Sequence, residues 1–119
     1  MLPCWTGYST DPYRIPHVTF TNNSPPNGLE ILAFEGDYSI ASTPQIDSSI
    51  NISDLKVSLS IKRPYYYTIY LTIGVMSDPN DGNTFDSITS VATNHNVWDT
   101  VSVDFSNYTG NGRYISFKC

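Results

Sequence analysis

In the stretch GVMSDPNDGNTF, residues 74–85, the oxygen-bearing side chains of Asp78, Asn80, Asp81 and Asn83 crowd around Gly82. Such a set raises the question of a hard cation held by carboxylate and amide oxygens. An EF-hand loop places ligands at positions 1, 3 and 5, Gly at 6 and Glu at 12. Counted from Asp78, Gly82 falls at position 5 and Thr89 at position 12, so the register fails. The same residues suit a hairpin turn. Pro79 fixes the first corner, and NDGN supplies residues that tolerate left-handed conformations. The turn reading is preferred, no metal ligands are assigned and no cofactor is expected.

Other chemistry is sparse. The chain has two histidines, His17 and His95, and lacks an H-E-x-x-H zinc motif and a G-x-S-x-G nucleophile elbow. His95 lies in TNHN, which reads as a solvated turn. Glycoside hydrolysis needs two carboxyl groups facing one cleft. Glu30 and Glu35 would point to opposite faces of an unbroken strand, as would Asp99 and Asp104; pairs from different strands stay open. No catalytic residue is assigned, and the chain is not expected to be an enzyme.

Aromatic residues carry the stronger binding signal. In RPYYYTIYL, Tyr67 shares parity with Ile69 and Leu71, whereas Tyr66 and Tyr70 take the other face. Trp98 is opposite in parity to Val101, Val103 and Phe105. Exposed rings stack on the apolar C–H faces of sugars, so Tyr66, Tyr70 and Trp98 form a candidate ligand-binding set. Packing of the same rings as half-buried strand residues is the competing reading. Cys4 and Cys119 read as free thiols, with a disulfide open if the termini meet. Asn22, Asn51 and Asn107 begin N-x-Ser/Thr sequons, which such an Asn-, Ser- and Thr-rich surface produces by accident.

The elements that must position these residues are strands. The 119 residues suffice for one domain, 1–119, with one core. DLKVSLSIK sets Leu55, Val57, Leu59 and Ile61 against Lys56, Ser58, Ser60 and Lys62, the period of an antiparallel strand with one wet face. TVSVDF turns Val101, Val103 and Phe105 inward, and RYISFK turns Ile115 and Phe117 inward. GLEILAF and YYTIYLTIGVM are apolar on both faces and read as central strands. FDSITSVAT places Phe85, Ile88 and Val91 at helical spacing, but its Thr, Ile and Val content favours a strand. Turn-rich segments such as NSPPNG, STPQID and NYTGNG separate these runs, so the chain is predicted to be an all-β antiparallel sandwich or barrel.

Composition narrows the partners. Net charge is −5, and the six basic residues, Arg14, Lys56, Lys62, Arg63, Arg113 and Lys118, are scattered. Neither nucleic acid nor an anionic membrane surface is an expected partner. Charged residues make up 14%, against a usual share of about 25%. MLPCW has neither a basic nor an apolar leader region, so no export signal is read in this chain.

LTIGVMSDPNDGNTFDSITSV, followed by VWDTVSVDFSNYTGNGRYISF, resembles the choice-of-anchor J domain. LPCWT resembles that family's opening Leu-Pro-x-Cys-Trp, and ASTPQID resembles a strand before its first long hairpin. The resemblance covers nearly the whole chain. It implies a jelly-roll sandwich of the galactose-binding or MAM-like type. It also implies a non-catalytic carbohydrate-binding or adhesin module of secreted or cell-surface Bacteroidetes proteins, akin to the cleaved-adhesin domains of gingipains and haemagglutinins. Its ligand would be a glycan or a host or matrix surface. A structural spacer without a ligand is the alternative. Family members carry a further strand before and after the part matched here. RYISFK is therefore expected to border an unfilled lane, with Ile115 and Phe117 poorly covered, and open sheet edges are expected to promote self-association.

Overall fold

The computed structural model describes residues 5–10, 17–19, 31–33, 39–62 and 70–119, with 17–19 and 31–33 described by backbone alone. The strands are β1 (Thr6–Ser9), β2 (His17–Thr19), β3 (Ile31–Ala33), β4 (Ser39–Ser42), β5 (Lys56–Ile61), β6 (Tyr70–Met76), β7 (Asp86–Ala92), β8 (Asp99–Asp104) and β9 (Tyr114–Lys118). The only helical pieces among the described residues are short 3-10 turns, Ile52–Asp54 and Gly82–Thr84. All pairings among the described residues are antiparallel. β1-β4-β9-β6-β7 form one sheet, β5 pairs with β8, and β2 pairs with β3.

Alternation decides which side of each strand meets the core. In the β5–β8 pair, Val57 opposes Val103 and Leu59 opposes Val101. These four side chains pack against a core of Ile52, Ile61, Leu71, Ile73, Val75, Phe105, Ile115 and Phe117, with Val103 fully part of it. The intervening residues form a polar outer face: Ser58 and Ser102 hydroxyls lie 3.1 Å apart, and Lys56 meets Asp104 at 3.8 Å. The β5–β8 pair therefore packs across the core from the five-stranded sheet, as the antiparallel sandwich predicted. Ile69, also expected inward, lies outside the described residues.

β9 departs from expectation. It is the middle strand of its sheet, paired with β4 on one side and β6 on the other. No lane beside it is open, and Ile115 and Phe117 are 4% and 8% exposed. The lane is filled by β4, whose short SIAS sequence carries little apolar signal. Reciprocal backbone bonds between Ser39 and Cys119, at 3.1 and 3.2 Å, carry that ladder to the last residue. The segment ASTPQID, read as strand-like by resemblance, is strand only through Ser42. Arg113 then holds the chain beyond it: its guanidinium donates to the carbonyls of Ile46 at 3.1 Å, Ile50 at 2.7 Å and Asp47.

β6 is an interior strand, as its two-sided apolar sequence predicted, whereas β3 has a single partner, β2, among the described residues. β7 is a strand and not a helix. Its register against β6 jumps from Ile73↔Thr89 to Gly74↔Ser87, leaving Ile88 as an extra residue. A bulge shifts the period by one. Ile88 and Val91, three residues apart, therefore both pack on the core, which is the spacing that also fits a helix.

Candidate functional site

The 77–85 connection joins β6 to β7 and spends its polar groups on itself. Asp78 Oδ1 accepts from the Asn80 N–H at 2.9 Å, and Asp81 Oδ1 accepts from the Asn83 N–H at 3.0 Å. The Thr84 hydroxyl lies 2.8 Å from the carbonyls of both Asp78 and Asp81, and it accepts from the Asp78 N–H at 3.2 Å. Both carboxylates thus complete Asx turns, which is the backbone reason these residues favour turns. Among the described residues, no group of three or more His, Cys, Asp or Glu side chains is placed to hold a metal.

One detail of the turn reading needs correction. NDGN does not supply left-handed residues: Asn96, at φ 54°, is the only non-glycine residue with positive φ among those described, and Gly82 sits in a 3-10 turn. Gly82 is required by contact instead. A Cβ there would stand 2.6 Å from Cε1 of Tyr8 on β1. At the other end of the connection, the Phe85 ring lies against Gly74 and 5.1 Å from the Lys118 ammonium. The connection therefore folds over the outer face of the large sheet. Beneath that face Ile40, Ser42, Met76 and Ser116 are buried, and the Ser42 and Ser116 hydroxyls meet at 2.8 Å.

The candidate rings are dispersed. Tyr70, at the start of β6, is 61% exposed on the outer face of the large sheet. Thr72, next along the same face, shares a 2.8 Å hydrogen bond with Ser90. Trp98 is half-buried just before β8, with the Lys62 ammonium 5.3 Å from its ring centroid. Lys62 and Trp98 continue the outer-face series of the small sheet, since Ile61 pairs with Asp99. The two rings thus belong to outer faces of different sheets. Tyr66 lies outside the described residues.

Alternation along single strands does not reveal a concavity whose walls come from separate segments. A cleft of about 560 Å³ is lined by residues 86–89 of β7, 102–104 of β8 and 107–109. Asp86 and Asp104, from different strands, both line it. The Asp104 carboxyl is held below the usual carboxylate range, first by the backbone N–H of Ser106 at 2.8 Å and then by the Ser106 side chain, with Lys56 adding to it. It is therefore an ionised acceptor rather than a proton donor. Asp99, on the core-side parity, accepts from the Asn94 amide at 3.0 Å.

His95 is half-buried in a β-bridge, not in a solvated turn. Cys119 is a free thiol packed on the core, and burial raises its pKa. No family model, curated protein or solved structure matches the chain.

Proposed function

We propose that this domain is a non-catalytic carbohydrate-binding or adhesin module of a secreted or cell-surface bacterial protein. The observation that carries this reading is Tyr70, a large ring left 61% exposed on the outer face of an interior strand, beside the Thr72–Ser90 hydroxyl pair. A sugar stacks its C–H face on such a ring and bonds its hydroxyls to the flanking oxygens. The antiparallel sandwich and the resemblance to choice-of-anchor J domains support the same reading. So does the state of the described carboxylates at Asp78, Asp81, Asp99 and Asp104, each engaged as a hydrogen-bond acceptor.

The separation of Tyr70 from Trp98 supports a second reading, a spacer module with no ligand of its own. Titration of the intact chain with a panel of polysaccharides separates the two. Weak binding is expected, because few groups are buried against the entropy of association. Tyr70→Ala should abolish it and Trp98→Ala, on the other sheet, should leave binding at Tyr70 unchanged. Binding that survives both substitutions would remove these rings from the site, and flat titrations throughout would establish the spacer.

A further inference from the structure

We infer that the cleft between β7 and β8 receives an extended, cationic peptide segment of a partner, which adds to the sandwich as a strand. The first observation is the pattern of the lining. Residues 86–89 and 102–104 are consecutive along their strands. Apart from the step at the Ile88 bulge, consecutive residues point alternately to opposite faces. What two consecutive runs present in common is their backbone edge, not a row of side chains on one face.

The second observation concerns what borders these edges. Among the described residues, β7 pairs with β6 alone and β8 with β5 alone. Each has its other side toward the cleft, β8 with N–H and C=O groups in regular strand geometry and β7 with its ladder stepped by the bulge at Ile88. Four lining residues of β7 span about 13 Å at roughly 3.3 Å per residue, enough for a short added strand. β7 carries neither Lys nor Pro, and of the devices that commonly blunt an edge it has the bulge at Ile88, inside the lining run.

Charge selects the occupant. Among the described residues of the lining, Asp86 and Asp104 are the charged ones and none is Lys or Arg. Lys56 offsets Asp104 in part, at 3.8 Å, and leaves Asp86 to a cation from outside. A second copy of this chain, with net charge −5, is disfavoured by the same field. Among the described lining residues Tyr108 is the aromatic one, and its hydroxyl is already engaged by the Gly112 N–H at 2.7 Å. Main-chain bonds to an edge give affinity in strand addition, and the side chains beside it give selectivity. This inference is independent of the glycan reading at Tyr70.

The test uses the intact chain and three short synthetic peptides. One alternates valine and lysine, one is the same peptide with alternate backbone amides methylated, and one alternates valine and glutamate. The valine–lysine peptide should bind saturably and slow amide hydrogen exchange at residues 86–89 and 102–104. Backbone methylation should weaken binding by about tenfold or more, since it deletes ladder donors. The glutamate peptide should bind more weakly still. Asp86→Asn should weaken the lysine peptide without moving the melting temperature. The inference is overturned by equal binding of the methylated or glutamate peptide, by protection at other strands, or by no saturable binding. Concentration-dependent dimers that protect the same amides without peptide would assign the cleft to a second copy and overturn it too.

Discussion

In the β6–β7 connection, each acidic side chain of the turn is bonded to a backbone N–H two residues away. In the cleft beginning at the next residue, Asp86, two strand edges stand without partners among the described residues. The first region looks like a ligand site in sequence and is internally satisfied. The second has no motif and is the open one. Local clusters of Asp, Asn and Gly are consumed by their own main chain, because a turn leaves donors that short side chains reach first. An open site instead requires groups from distant segments that cannot satisfy one another.

The largest effect should come from the contact that locks the connection over the sheet. Gly82→Val drives a side chain into the Tyr8 ring and should destabilise the domain by about 1–3 kcal/mol, read by urea unfolding. Tyr8→Ala in that background should cost less than the sum of the two single changes, because the clash is shared. Strict additivity would mean that the connection does not rest on β1.

A smaller contrast separates turn from cleft. Thr84→Val removes the hydroxyl that bridges two carbonyls and should cost about 1 kcal/mol. Ser87→Ala and Thr109→Ala, exposed in the cleft, should stay within about 0.5 kcal/mol of the parent. Equal costs in both regions would erase the distinction.

The smallest effect is acid dependence. The Asp47 carboxyl, like that of Asp104, is held low, first by a backbone N–H, here that of Ser49, and less by Arg113. A lowered folded-state pKa means stability that is present above the ordinary carboxylate value of about 4 and lost as pH falls through the folded value. Melting temperature should therefore drop on acidification below that range. Asp47→Asn and Asp104→Asn should each make the drop shallower; an unchanged or steeper drop would show that neither carboxylate is anchored.

Much of the fold was legible where one face is wet. β5 and β8 alternate cleanly because their outer residues, Lys56, Ser58, Thr100 and Ser102, meet solvent or each other. The exposure of Tyr70 followed from the same parity. β7 was ambiguous for a physical reason, since the bulge at Ile88 replaces period two with a spacing of three. The place of β9 was illegible, because the strand beside it, Ser39–Ser42, is buried on both faces with two serines and an alanine among its four residues. The cleft was illegible because its walls lie in separate segments and present backbone.

By itself, the sequence determined that the chain forms antiparallel strands, which side chains of β5, β8 and β9 face inward, and that 77–83 is a turn. Those properties depend on residues within a few positions of one another. Only the tertiary structure decided the strand order, the need for glycine at position 82 against a tyrosine at position 8, the separation of Tyr70 from Trp98, and the meeting of Asp86 with Asp104 across one cleft. Each of these depends on long-range pairing, which alternation along a single strand does not encode.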